Sequence, residues 1–357
     1  MIRTGEELLE LVRPGILNLK PYTCARDTVK EGVLLDANEN PFQRIHCGSL
    51  LNRYPDPHQV DLRRELSRFT GVPFSSVLAA SGSDEVFDWL FKVFCIPGND
   101  SVALFEPTYG MYEVTAGIFG IPVVRFQLDD DFNFRPESFL ERAGDDIKIL
   151  FLCSPNNPTG KMVSEESVIK VLENWKGLVV VDEAYLEFSG QASMAALVAD
   201  YPALVVTRTF SKAFGSAGVR LGYVAADPQL IKLFLKVKLP YNLSVLTQRA
   251  GIEALENLEE AVEEIDRIVK EKQRLEKELE AVENVEIVTE SRANFLLIRC
   301  PNAREVYESL FSKGIIIRDR GSQHGLENCL RVSIGTPEEN DLFMAGLKDA
   351  LRDSEDS

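Results

Sequence analysis

From about residue 45 to residue 240, short apolar runs alternate with amphipathic stretches, and four runs stand out at 101–105, 147–152, 178–181 and 204–207. Each is nearly unbroken in Val, Ile, Leu, Phe and Ala, which predicts strands covered on both faces, as in a parallel sheet under helices. The alternation predicts an α/β architecture. The last three runs each lead straight into a polar segment, so functional side chains are expected at the carboxyl edge of that sheet.

The pattern changes near residue 253. Charged residues dominate to 282 while apolar ones recur at intervals of three and four, which predicts a solvated helix joining two domains. Beyond it, apolar runs at 285–288 and 294–298, a helical stretch at 303–313, further strands and a closing helix from Pro337 predict a small α+β domain. The chain start predicts a helix followed by an arm containing Lys20-Pro21-Tyr22. The expected division is thus a helix and arm over 1–44, a large domain over 45–245, and a linking helix with a small C-terminal domain over 246–357. Residues 353–357, Asp-Ser-Glu-Asp-Ser, read as a disordered tail.

Length supports the division, since 357 residues exceed what one compact core usually holds. With 45% hydrophobic and 27% charged residues the chain can bury a sizeable core. A net charge of −17 without a basic stripe argues against nucleic acid and anionic lipid as partners, so an anionic substrate must meet a local group of arginines. The six cysteines form no C-x-x-C pair and have no histidine at ligand spacing, which predicts reduced thiols and no metal site. The first ten residues lack a basic start before an apolar core, and no run is long enough to span a bilayer, so a cytoplasmic protein is expected.

The densest chemistry lies at Thr207-Arg208-Thr209-Phe210-Ser211-Lys212, followed by Gly218-Val219-Arg220-Leu221-Gly222. A lysine after a hydroxyl residue, with an arginine eight positions on, suits a cofactor bearing both an aldehyde and a phosphate. Pyridoxal 5′-phosphate (PLP) is such a cofactor. Lys212 can supply a reactive amine when desolvated beside a cation, and Ser211 and Arg220 can hold the phosphate, although most lysines in such a pair are solvated surface residues. After the run ending at Val181 stands Asp182-Glu183-Ala184-Tyr185; the aspartate can pair with a protonated pyridine nitrogen or cap a following helix. Tyr185 can reach the ring's O3′ or pack in the core. Ser154-Pro155-Asn156-Asn157-Pro158-Thr159-Gly160 forms a rigid turn after another strand, from which Asn157 can donate to O3′ or to a substrate oxygen.

Ala80-Ser81-Gly82-Ser83-Asp84-Glu85 leads into a helix whose first N–H groups suit a phosphate. Tyr109, after Glu106-Pro107-Thr108, can stack on a pyridine ring. Two nucleotide motifs are excluded: Pro155 stands where a P-loop needs glycine, and Gly215, Gly218 and Gly222 do not match the dinucleotide fingerprint.

Together with Asn38-Glu39-Asn40-Pro41, Arg53-Tyr54-Pro55-Asp56-Pro57 and Leu330-Arg331-Val332-Ser333-Ile334-Gly335-Thr336, these segments resemble, nearly end to end, the fold-type I PLP-dependent aminotransferases, and within them the branch acting on histidinol phosphate. The resemblance implies a large domain with a mainly parallel sheet and a small α+β domain. It implies Lys212 as the covalent anchor of PLP, Asp182 at the ring nitrogen, Asn157 and Tyr185 at O3′, and Tyr109 over the ring. The phosphate is implied to sit among Ser83, Asp84, Ser211 and Arg220, with Tyr54 entering from the second subunit of a homodimer. Arg331, Arg318, Asn157 and Tyr22 are implied to bind substrate, a phosphorylated amine exchanging its amino group with 2-oxoglutarate in histidine biosynthesis. An aromatic amino-acid aminotransferase and a phosphothreonine decarboxylase would share this pattern, and a silent PLP-binding regulatory module would need a DNA-binding domain that the charge disfavours. His324 has no expected role.

Overall fold

The computed structural model describes residues 2–27 and 32–355. Met1, the arm positions 28–31 and the expected disordered residues Asp356 and Ser357 lie outside the described residues.

Seven strands form the large sheet: β1 (Val77–Ala80), β2 (Ser101–Glu106), β3 (Val123–Gln127), β4 (Ile147–Cys153), β5 (Leu178–Asp182), β6 (Leu204–Thr209) and β7 (Gly222–Ala226). Their order is β1-β7-β6-β5-β4-β2-β3, and only β7 runs against its neighbours. The four apolar runs are β2, β4, β5 and β6, the consecutive middle of the sheet. All residues of β5 and β6 are buried, as expected of strands covered on both faces. Strands β1, β3 and β7 stand out less in the sequence, because β1 and β7 are rich in Ala and Gly and β3 is interrupted by Arg125 and ends in Gln127.

A smaller antiparallel sheet follows, with β8 (Glu286–Ile287), β9 (Phe295–Arg299), β10 (Arg318–Asp319) and β11 (Cys329–Ser333) in the order β10-β11-β9-β8. Helices Ala303–Ser312 and Pro337–Glu355 pack on it around a second core that includes Leu296, Ile298, Val306, Leu330 and Leu347. Because strand side chains alternate, burying Leu330 and Val332 in that core turns Arg331 to the opposite face, toward the large sheet.

Three expectations change. The chain start forms a 3₁₀ turn, Glu7–Leu11, and one short α-helix, Pro14–Leu17, instead of a single helix. Pro14 fits a first helical turn but has no N–H with which to continue the preceding one. The charged stretch is two helices, Val245–Glu256 and Leu258–Glu280, broken at Asn257, and the second buries Lys272, Leu275 and Leu279 rather than standing free in solvent. Asp353, Ser354 and Glu355 are helical, completing an element anchored by the buried Leu347 and Ala350.

Candidate active site

The carboxyl edges of β4, β5 and β6 deliver three segments to one place. Lys212, Ser211 and Thr209 come from the end of β6, Asp182, Ala184 and Tyr185 from β5, and Cys153 from β4. They line a cavity of about 150 Å³ with Ser83, Asp84, Tyr109 and Arg220. Lys212 opens onto this cavity, yet the surrounding protein removes enough water to push its ammonium pKa down, and the charges of Arg331 and Arg220 push the same way. Its Nζ lies 5.6 Å from the centre of the Tyr185 ring.

Asp182 is 2% exposed and caps no helix. It accepts hydrogen bonds from Tyr112 at 2.7 Å and Thr207 at 3.2 Å. Burial pushes its carboxyl up to about 6, the Tyr112 hydroxyl holds it down, and the nearby Asp84 charge adds to the rise. Tyr112 is itself fully buried, stacked on Phe151 at 4.9 Å and edge-on to Phe87 at 5.1 Å, so its hydroxyl has little freedom to leave Asp182. Tyr112 was missed from the sequence; the available signal was its place in the first turn of helix Met111–Ile118, three residues after Tyr109.

The other end of the cavity is built for an anion. Helix Asp84–Phe94 begins beside it, and its N-cap residue Ser83 makes no side-chain capping bond; Val86 N–H donates to the Ser83 carbonyl, while the Asp84 N–H has no hydrogen bond among the described residues. Arg220 donates to Ser211 Oγ at 3.4 Å and to the Ala217 carbonyl at 3.2 Å, and forms no ion pair among the described residues. A Cβ on Gly82, whose φ is +75°, would lie 2.7 Å from Arg220 Nη2, and a Cβ on Gly222 would lie 2.4 Å from the Ser83 backbone nitrogen. Only glycine lets guanidinium and helix start approach this closely. A cation without a carboxylate, a helix N-terminus, a buried carboxylate and a desolvated amine around one small cavity fit PLP.

The small sheet adds a group of arginines. Arg331 Nη1 donates to Asn157 Oδ1, and Asn157 Nδ2 in turn donates to Tyr185 Oη at 3.4 Å. The guanidinium of Arg331 lies 5.2 Å from the Phe295 ring, which meets Tyr185 edge-on at 5.1 Å. Asn157 is therefore one bond behind the cavity wall, joining the two sheets. Arg318 is exposed and pairs across the ladder with Arg331, so the two side chains share a face. Arg320, missed from the sequence, belongs to the same group: burial, Arg331 and Arg318 push its guanidinium down to about 10, and its Nε, like that of Arg331, is buried with no hydrogen bond among the described residues. The Arg-Asp-Arg spacing at 318–320 was the available signal, since strand alternation gives both arginines one face.

Two expected residues join neither this cavity nor the arginine group beside it. Tyr54 is 49% exposed and stacks on Tyr241 with centroids 4.4 Å apart, and Tyr22 is 77% exposed in the arm. Their positions follow from an N-terminal segment that runs over the surface instead of entering the sheet. His324 lies on the rim of a separate acidic cleft with Asp129, Asp131 and Glu286. Among the described residues no cluster of His, Cys, Asp and Glu could hold a metal, and no helix is long and apolar enough to cross a membrane. Five of the six cysteines are buried and all are free.

A mainly parallel sheet carrying an amine and a buried carboxylate at its carboxyl edge, beside a glycine-lined anion seat, defines a transferase of fold type I. The aminotransferase class I and II family matches residues 17–347, and the chain belongs to that family. Histidinol-phosphate aminotransferase from Flavobacterium johnsoniae is 44% identical, with 95% of this chain and 97% of that protein covered. The enzyme of the same name from Parabacteroides distasonis is 42% identical over 96% of this chain and 99% of its own length. Among solved structures, histidinol-phosphate aminotransferase from Sinorhizobium meliloti in complex with PLP superposes with a TM-score of 0.79 at 26% identity, covering 85% of this chain and 84% of that one.

Proposed function

We propose that this protein is a PLP-dependent aminotransferase that moves the amino group of L-histidinol phosphate to 2-oxoglutarate, reversibly giving imidazole acetol phosphate and glutamate. The observation that carries the reading is that Lys212, Asp182 and the unpaired Arg220 line one cavity. The names and coverage of the relatives support the substrate, as does the group of Arg331, Arg320 and Arg318 facing the same side of the small sheet.

When bound, the cofactor provides an electron sink for negative charge developing at the substrate's Cα. Lys212 Nζ would anchor the cofactor and, once displaced by the incoming amine, would take the proton from the substrate's Cα and deliver one to the cofactor carbon that carried the aldehyde, on the far side of the transferred nitrogen. Its depressed pKa leaves more of the amine in the basic form this work requires. Asp182 holds the proton on the ring nitrogen, and Tyr112 and Thr207 keep that carboxylate oriented. Tyr185, with Asn157 behind it, would bind O3′, Tyr109 would cover the ring, and Ser83, Asp84, Ser211 and Arg220 would seat the phosphate. Arg331 binds the α-carboxylate of glutamate in one half-reaction and the phosphate of the amine in the other, with Arg318 and Arg320 adding charge.

The working unit in this reading is a cytoplasmic homodimer, with Tyr54 of one subunit completing the phosphate seat of the other and Tyr22 closing over substrate. Exposed Val33, Leu35, Phe42, Ile45 and Leu50, in the segment that leads to the half-exposed Tyr54, support such an interface.

The test is a half-reaction. Mixing the loaded enzyme with histidinol phosphate, without keto acid, is expected to bleach the cofactor's visible absorbance stoichiometrically, with phenylalanine and phosphothreonine far slower. Equal bleaching by phenylalanine would favour an aromatic aminotransferase, and carbon dioxide release from phosphothreonine a decarboxylase.

A further inference from the structure

Next to the anion seat, and outside the cavity lining, lies a half-buried polar network that the chemistry above does not use. Glu85, in the first turn of helix Asp84–Phe94, folds its carboxylate back so that Oε2 accepts from the Ser81 backbone N–H at 2.5 Å. The same oxygen accepts from Asn242 Nδ2 at 2.8 Å. Asn242 Oδ1 accepts in turn from Lys238 Nζ and Gln59 Nε2, both at 2.9 Å. Lys238 is 8% exposed and also donates to the carbonyls of Pro57 at 3.0 Å, Leu239 at 2.8 Å and Pro240 at 3.1 Å. Glu85 does not line the cavity, whereas Ser83 and Asp84, two and one residues before it, do.

The network spans two loops. One is the turn 81–84 that forms the anion seat. The other is the surface pair Tyr54 and Tyr241, because Pro57 follows Tyr54 closely and Asn242 follows Tyr241 directly. Gly82, at φ +75°, has little intrinsic preference for one conformation, so something must hold the turn at the spacing that Arg220 requires. A charge-assisted bond from Ser81 N–H to the half-buried Glu85 carboxylate does so, and Asn242 keeps that carboxylate in place without bringing a second negative charge toward the seat.

We infer that Glu85 and Asn242 are positioning residues that set the geometry of the phosphate-binding turn 81–84 and tie it to the segment bearing Tyr54. The inference rests on the reading of that turn as the phosphate seat, and the test separates the two. Cofactor-free wild type and the variants Glu85→Ala, Glu85→Gln and Asn242→Ala are titrated with PLP and with pyridoxal, which carries the same aldehyde and ring but no phosphate.

Wild type is expected to bind PLP much more tightly than pyridoxal. Glu85→Ala and Asn242→Ala are expected to weaken PLP about tenfold and pyridoxal less than about twofold, the size of one lost charge-assisted bond. Glu85→Gln keeps an acceptor for Ser81 and is expected to recover most of the PLP affinity. Equal weakening of both ligands would mean a general structural role and overturn the inference. Wild type that does not discriminate between the two would overturn the phosphate seat itself. Should Glu85→Ala fail to fold, Asn242→Ala probes the same link from its far end.

Discussion

Tyr112 donates its phenolic hydrogen to Asp182 at 2.7 Å at the carboxyl edge of the large sheet, where both residues are buried. This bond favours the charged carboxylate against a burial that already pushes it up to about 6. Below that pH Asp182 takes a proton and loses its attraction for a protonated ring nitrogen, so affinity for PLP is expected to fall as pH drops through about 6. Tyr112→Phe removes the donor and is expected to move that midpoint upward by roughly one pH unit. Absorbance titrations of the cofactor-free protein between pH 5 and 8 measure it, and an unmoved midpoint would remove Tyr112 from the site.

The same carboxylate has a cost for the fold without cofactor. Its folded pKa of about 6 exceeds the ordinary 3.8, so the folded state binds the extra proton more readily. Its contribution to stability is full below about 4 and is lost as pH rises through about 6. Asp182→Asn is therefore expected to stabilise the cofactor-free protein at pH 7, by at most about 3 kcal/mol, while eliminating turnover. Thermal denaturation at pH 4 and pH 7 checks the sign: the gain should be present at the higher pH and small at the lower.

Arg331 and Arg320 each keep a buried Nε without a hydrogen bond among the described residues, a cost that an anionic substrate would offset. Arg320→Ala is expected to raise KM for the phosphorylated amine roughly tenfold to a hundredfold and to change KM for glutamate much less. Arg331→Lys, which keeps charge but loses the fork, is expected to raise both. Steady-state kinetics with each substrate varied in turn would contradict the assignment if Arg320→Ala affected the two equally.

Arg208 lies next to Thr207 in β6 and is 6% exposed, with a 2.8 Å bond to Glu187 and Glu183 at 3.9 Å. Arg208→Ala leaves those carboxylates without their cation and is expected to cost about 3–5 kcal/mol. Burial has already pushed Glu183 up to about 7 despite Arg208, so it will protonate more readily in the variant. Chemical denaturation reads the loss, and a change under about 1 kcal/mol would show that the network is dispensable.

Lys212→Ala is expected to lower turnover by at least about 10³-fold. If Tyr54 serves the neighbouring subunit, Tyr54→Ala and Lys212→Ala proteins, unfolded and refolded together, form mixed dimers in which one site has both residues. Activity is then expected to rise to about a quarter of wild type, as random pairing dictates for a two-fold dimer. A mixture no more active than its parents would place Tyr54 outside the partner's site.

The sequence by itself determined the middle of the large sheet and the motifs at its carboxyl edge, because strands buried on both faces must be nearly all apolar and each is followed at once by its polar payload. Lys212, Asp182, Ser83, Asp84, Tyr109, Tyr185, Ser211 and Arg220 were legible for that reason: each sits at a strand end or helix start whose local chemistry is distinctive, and all line one cavity. What only the tertiary structure decided concerns pairs far apart in the chain. Tyr112 meets Asp182 across 70 positions, Arg331 meets Asn157 across 174, and Asn242 meets Glu85 across 157. Nothing local marks such partners, since a buried tyrosine or asparagine has the same neighbours in sequence whether its polar atom meets a catalytic carboxylate or a structural one. Packing chooses the partner, through the stacked rings that fix Tyr112 and the strand alternation that turns Arg331 away from its own core.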